Sequence, residues 1–249
     1  MSISEMHIYF KILLNKLDTL NYQNLLPEEI DIFLNQAMFK FIENRAYGLN
    51  PKGDSLEETQ KRVDDLRNII FSVTTTSTSF TTTAENKPNG LFVPLPSDYR
   101  HAIEEECTIS YTDCNGVTRT KRVEVVPITH DRYNRIKKDP FNKPYEDLIL
   151  RLGYASTGTT ADAAAGNSSP SFELLTDGTY TITTYYLRYI ATPIEMRNGA
   201  EYSTPTTNQG CVLSDHTHRE LVELATQAAI ETIESPRIQT YPSIVKTTE

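Results

Sequence analysis

The chain has 249 residues, enough to bury a sizeable core in one large or two small domains, and carries a net charge of −9. Apolar residues make up 38% of it, and none of its runs approaches the roughly 18 apolar residues a membrane span requires. The acidic excess extends along the whole chain, so no segment has the basic footprint of a nucleic-acid binder. Such a protein can still lie beside DNA if its task is not to grip it.

The opening MSISEMHIYFKILLNKL places polar residues at helical intervals and lacks the basic start and small-residue cleavage site of a secretory signal. Ser2 and Glu5 have capping-box spacing for a helix reaching Leu20, with Met6, Phe10, Leu13, Leu17 and Leu20 as its apolar stripe. Pro27, Glu28 and Glu29 suit the first turn of a second helix, which keeps its period through Ile30, Leu34, Met38 and Phe41 to about Arg45. Ser55 and Glu58 open a third helix running to Ile70. Three helices joined by short links are antiparallel neighbours by default.

At Val73 the composition changes. VTTTSTSFTTTAENKPNG is rich in β-branched and turn residues and reads as a strand or extended connector. Asn115-Gly116, between the runs Ala102–Asp113 and Val117–Val126, predicts a β-hairpin. A short helix spans about His130 to Lys138, a strand covers 147–154, and 155–171 has loop composition. FELL, then Asp177-Gly178, then Thr179–Ala191 predicts a second hairpin.

Ser214 to Ser235 reads as a final helix, with Ser214 as N-cap and Pro236 as stop. Glu220, Glu223, Gln227, Glu231 and Glu234 form a solvated stripe. Leu221, Val222, Ala225, Ala228, Ala229 and Ile233 form a wide apolar arc opposite. An arc that wide needs a partner, and the N-terminal helices are the adequate ones. The expected class is therefore α+β: a helical bundle from residues 1–73 and 212–236, an inserted antiparallel β-rich domain over 74–211, and a polar C-terminal tail over 237–249.

No catalytic set emerges. Asp215, His216 and His218 crowd one helix start, but His at i and i+2 do not share a face, so they read as polar first-turn residues. Glu104, Glu105 and Glu106 read as a solvated strand entrance, since adjacent strand residues alternate faces. There is no G-x-S-x-G, Walker or GxGxxG motif. Cys107, Cys114 and Cys211 lack metal spacing and read as reduced thiols in a cytosolic assembly environment. No metal or cofactor is called for. The basic concentrations are Arg119, Lys121 and Arg122, and Arg132, Arg135, Lys137 and Lys138. They could touch DNA phosphates; an ion-pairing surface for an acidic neighbouring subunit is the preferred reading, because the last helix offers an acidic stripe of matching length. Tyr180, Tyr185, Tyr186 and Tyr189 could stack sugars or bases, but on a strand such residues more often pack a sheet face or an interface.

Several phrases then come together: MSISEMHIYFKILLNKLDTLNY with PEEIDIFLNQAMFKFIENR, EETQKRVDDLRNII, LPSDYRH, DPFNKP, YYLRYIATPIEM and HRELVELATQAAIETIESPRIQ. In this order the chain resembles the head-to-tail connector, or ring, proteins of short-tailed bacteriophages of the crAss-like type. The resemblance implies a non-enzymatic virion subunit, assembled in the host cytoplasm. Its place would be a ring, usually twelvefold, in the particle's neck. It would be docked to the portal and contact other tail or ring proteins, with double-stranded DNA passing through unbound. The expected interface or channel residues are Glu220, Glu223, Glu231, Glu234, Arg132, Arg135, Lys137, Lys138, Tyr186 and Tyr189, with the acidic stripe lining the channel or meeting the basic patch. The alternative from another class is a β-rich glycan- or protein-binding module acting through the tyrosines.

Overall fold

A computed structural model of the chain describes residues 1–15, 25–47, 60–82, 87–157 and 169–232. It is mixed α+β and divides into two compact units: Met1–Ile69 with Pro193–Glu249, and Ile70–Thr192.

The first unit is helical. Helix α1 (Ile3–Asn15) starts at a complete capping box, in which the Ser2 amide donates to Glu5 Oε2 (2.8 Å) and the Glu5 amide to Ser2 Oγ (3.3 Å). Its expected continuation to Leu20 lies outside the described residues. Helix α2 (Pro27–Tyr47) has proline in its first turn, as expected, and the Leu26 amide donates to Glu29 Oε2 (2.8 Å). The third helix is shorter than its pattern suggested: α3 covers Gln60–Leu66 and passes through a 3-10 turn, Arg67–Ile69. It stops there because Ile70 already pairs with Ile190 in a sheet. The Ser55–Glu58 capping box falls outside the described residues.

The last helix, called α5 here, spans His218–Thr232 and packs against α1 and α2. Leu221, Val222, Ala225, Thr226, Ala229 and Ile230 are its buried residues along with His218. Ala225 and Ala229 let the neighbouring helices come close to its backbone. Ser214 precedes a 3-10 turn, Asp215–Thr217, rather than the helix itself, and its hydroxyl donates to the Asp64 carbonyl (3.2 Å) instead of capping. Glu234, Ile233 and Pro236 lie outside the described residues.

The second unit holds strands β1 (Ile70–Thr76), β2 (Gly90–Pro94), β3 (Tyr99–Thr112), β4 (Thr118–Ile128), β5 (Ile149–Thr157), β6 (Ser169–Leu175) and β7 (Thr181–Ala191), with helix α4 (His130–Ile136) between β4 and β5. They form one seven-stranded sheet in the order β1-β7-β3-β4-β5-β6-β2. The sheet curls on its own core. Val93, Cys107, Val123, Ile149, Phe172 and Leu187, from six different strands, belong to one buried cluster. Thr81, just beyond β1, exchanges both backbone hydrogen bonds with Phe92 of β2, drawing the two ends of the strand order together.

The Asn115-Gly116 hairpin forms, with Thr112 opposite Thr118 and Gly116 at φ +77°, the left-handed position that favours glycine. The second expected hairpin does not form. Strand β6 lies between β5 and β2, while β7 lies between β1 and β3, so Asp177-Gly178 links strands that are not neighbours. The local turn is real: Gly178 has φ +89° and Asp177 Oδ1 accepts from the Thr179 amide (2.8 Å). Turn chemistry fixes a reversal, not a pairing partner. The sheet also departs from an all-antiparallel arrangement, because β4 and β5 run parallel, Val125 opposite Ile149. Parallel neighbours need a long crossover, and the segment holding α4 supplies it. Strand β5 continues to Thr157 and β6 starts at Ser169, so both ends of the expected 155–171 loop are strand.

Candidate functional site

The crossover that makes β4 and β5 parallel also builds a groove. Val126 and Ile128 from β4, Leu148 just before β5 and Leu150 within it provide its floor, with Ile136 of α4 at one side. These side chains pack against the small cluster of Tyr133, Leu150, Leu152 and Leu175. The cavity measures ≈ 690 Å³. Arg132 and Arg135, both exposed, line its mouth, three residues apart and so on one face of α4, and Asp139 and Asn142 complete the lining.

The turn after α4 is ordered by one carboxylate. Asp139 accepts from the Phe141 amide (3.0 Å) and from Asn142 Nδ2 (2.6 Å). These hydrogen bonds, the Asn142 side chain foremost, hold the Asp139 carboxyl below the usual carboxylate range. Phe141 is thereby fixed in position yet 85% exposed.

The two basic concentrations turn out to differ. Arg119 pairs with Asp113 (2.9 Å), Lys121 with Asp147 (2.7 Å) and Arg122 with Glu106 (3.0 Å), and the Arg122 guanidinium also lies 4.2 Å over the Tyr186 ring. These charges are used within the unit. Arg132, Arg135 and Lys138 make no ion pair among the described residues, and Lys137 rests over the Tyr133 ring at 5.9 Å. The carboxylates nearest in sequence are engaged locally, Asp139 in its own turn and Asp131 by the Thr129 hydroxyl and neighbouring amides, which with a smaller contribution from the Arg132 charge hold its carboxyl low. Of the two concentrations, the α4 group is the one without ion pairs among the described residues.

The acidic stripe of α5 is less solvated than its spacing suggested. Glu220 Oε1 accepts from Arg45 Nη2 (2.7 Å), and Arg45 Nε reaches Asp65 (2.9 Å), whose other oxygen meets His216 Nε2 (2.8 Å). Glu223 accepts from the Tyr9 hydroxyl (3.3 Å). Glu231 is exposed. His216 turns away to Asp65 (2.8 Å), whereas Asp215 and His218 stay together, Oδ1 to Nδ1 at 3.6 Å, both meeting the Met1 amino group, with His218 Nε2 on the Leu213 carbonyl (3.1 Å). No group of three or more His, Cys, Asp or Glu able to hold a metal occurs among the described residues.

The tyrosines also separate. Tyr180, Tyr185 and Tyr189 are buried; Tyr189 is 5% exposed, with its hydroxyl on Asp98 Oδ1 (3.0 Å), so its ring offers no stacking face to an outside ligand. Tyr186 is half-buried on the opposite side of β7. Glu105 corrects the expected solvated entrance: it shares the inward parity of Cys107 and Ile109, and only Glu104 and Glu106 face out, each on an arginine. Two further networks had no local sequence pattern to announce them. One joins Arg45, Asp65 and Glu220. The other joins His7 and Asp31 (2.7 Å), with Asp31 also accepting from Tyr202 and from the Asn198 amide.

With fold and site in place, comparison with known proteins is direct. Residues 1–237 match the profile of the phage tail ring protein 3/4 family, and the chain belongs to that family. It is similar to Ring protein 3 of Bacteroides phage crAss001, 28% identical over 232 residues covering 89% of this chain and 91% of that protein. It is also similar to Ring protein 4/5 of the same phage, 25% identical over 239 residues and 92% of each chain. This is a crAss-like phage ring protein: a structural component of the virion, of a class that assembles with other phage proteins. Among the described residues no helix is long and apolar enough to cross a membrane.

Proposed function

We infer that the protein is a subunit of a head-to-tail connector ring in the virion's neck. The ring is twelvefold, docked to the portal on one side and to other tail or ring proteins on the other, and assembled in the host cytoplasm. The observation that carries this reading is the family match along nearly the whole chain, 1–237, which spans both compact units. In this reading residues 1–73 and 212–236 form a helical hub, 74–211 a β-rich insertion that reaches neighbouring subunits, and 237–249 a tail. The compact units support it, with boundaries at Ile69 and Pro193. The role is non-enzymatic.

Double-stranded DNA passes through the ring without specific binding. An acidic wall repels duplex phosphates and lets the genome slide, whereas a basic wall would hold it. Glu223 and Glu231 of α5, together with Glu234, are assigned to that wall. The test is assembly followed by charge reversal. Negative-stain microscopy and light scattering of the protein, alone and with portal, are expected to show rings or ring-sized complexes. A monomer that ignores the portal overturns the reading. In particles carrying Glu223→Lys, Glu231→Lys and Glu234→Lys, intact rings with altered genome retention support the channel role, and failed rings assign these residues to a contact instead.

A further inference from the structure

A ring of identical subunits requires two different, complementary faces on each copy, because a head-to-tail contact closes only if one face fits the other. The α4 groove has the chemistry of one such face. Its floor is aliphatic, its lining carries Arg132 and Arg135, which form no ion pair among the described residues although Asp139 shares the lining, and Phe141, 85% exposed, follows in the same turn. A duplex backbone needs cations but no aliphatic floor. A segment that fills the groove must bring apolar side chains and carboxylates together.

The acidic stripe of α5 supplies that combination poorly, since Glu220 is held by Arg45 and α5 has no exposed large apolar side chain among the described residues. The start of α2 supplies it well. Leu26 is 60% and Ile32 56% exposed, Glu29 is exposed between them at spacings of three, and Glu28 stands one residue before it. Both carboxylates accept backbone amides, Glu29 from Leu26 (2.8 Å) and Glu28 from Ser203 (3.4 Å), and form no ion pair among the described residues. Helix α1 also exposes Ile8 and Ile12, but Lys11 lies beside them and would oppose a cationic mouth. Among the described residues, carboxylates outnumber cations in the helical unit and balance them in the β-rich unit. The complementarity of the two surfaces therefore runs from unit to unit as well as from residue to residue.

We propose that the α4 groove of one subunit receives the start of α2 of a second copy of this chain. Ile32 and Leu26 lie against the aliphatic floor and Phe141, and Glu28 and Glu29 meet Arg132 and Arg135. This rests on the ring reading above and specifies its subunit contact. Both surfaces are small, as suits one contact among several around a ring, and the charge pairing sets register more than affinity.

The experiment places p-benzoylphenylalanine at position 141 of the full chain, mixes isotope-labelled and unlabelled copies, and irradiates the assembled ring with its portal. The expected product is a cross-link between a labelled and an unlabelled copy, mapping to the peptide around residues 26–36. Arg132→Glu with Arg135→Glu is expected to lower its yield by about tenfold or more, with circular dichroism unchanged. Adding Glu28→Arg with Glu29→Arg to the same chain is expected to restore it. If rings form and Phe141 captures the portal, another tail protein, DNA, a different segment of this chain or nothing, the groove assignment is overturned and the ring reading stands. If no ring-sized complex forms with or without portal, both fall.

Discussion

Arg151 on β5 reaches Glu105 on β3, Nη2 to Oε1 at 2.9 Å, past the strand that separates them in the sheet order. The Tyr185 hydroxyl donates to the other Glu105 oxygen (2.8 Å), and the guanidinium lies 4.0 Å over the Phe172 ring. Burial pushes the Glu105 carboxyl up, and the Arg151 charge and Tyr185 hydroxyl offset this only in part. A raised carboxyl costs stability as pH climbs through its folded value, because the folded state is the better proton binder. Arg151→Ala removes the offset and leaves a buried carboxylate on a hydroxyl alone. Urea unfolding at pH 7 is expected to show a loss of about 3–5 kcal/mol, shrinking as pH is lowered. Glu105→Gln is expected to cost less, about 1–3 kcal/mol. An unchanged midpoint for Arg151→Ala would show the pair to be dispensable.

Glu220 and Glu231 lie on the same helix, but the structure separates their roles. Glu220→Lys places a cation against Arg45, inside the network with Asp65, and is expected to destabilise the helical unit by about 3 kcal/mol or more. Glu231→Lys, on an exposed position, is expected to stay within about 0.5 kcal/mol of the parent. Thermal melts followed at 222 nm compare the two directly. Equal losses would contradict the Arg45 network as a source of stability.

Asp31 gives the helical unit an acid limb. Burial alone would raise its carboxyl, but hydrogen bonds from His7, Tyr202 and the Asn198 amide outweigh burial and hold it below its ordinary value of 3.8. The same pairing pushes the Tyr202 hydroxyl up to about 12, burial contributing most. A lowered carboxyl contributes stability that is present above the unfolded value and disappears as pH falls through the folded one. Melting temperature is therefore expected to drop below about pH 4. Asp31→Asn should be less stable at pH 7, with a flatter acid limb. A parallel pH profile for the two proteins would sink the assignment.

The three thiols should react in a fixed order. Cys114 is exposed in the hairpin turn. Burial pushes Cys211 up to about 11, and Cys107 still further, with Glu105 and Glu106 adding to the rise. With a maleimide at pH 7.5, Cys114 is expected to label within minutes, Cys211 slowly, and Cys107 only on unfolding. Peptide mapping at each time point reads the order, and early labelling of Cys107 would mean that the sheet core opens readily.

What the sequence disclosed divides by range. Ser2–Glu5, Pro27 and Asn115-Gly116 are short-range devices, and each does in the structure what its spacing implied. Asp177-Gly178 is equally local, yet its flanking strands take other partners, because pairing is decided by which edges the curled sheet presents. Glu105 is legible through its parity with Cys107 and Ile109, which places all three on the inward face. The groove was not. Its floor joins residues some twenty positions apart through a parallel pairing that no local pattern announces. Nor does the sequence say that Lys121 takes Asp147 while Arg135 forms no ion pair among the described residues.

One consequence of the β1–β7 ladder concerns folding kinetics. Ile70 and Ile190, where the chain leaves the helical unit and where it comes back, are directly opposite in adjacent antiparallel strands. Cross-strand neighbours are about 5 Å apart. Once that ladder zips, the two halves of the helical sequence are joined as if by a short linker, and most of the loop-closure entropy of bringing α5 to α1 and α2 has already been spent in forming the sheet. Effective contact order within the helices falls accordingly, so the β-rich unit is expected to act as the chain's own assembly template.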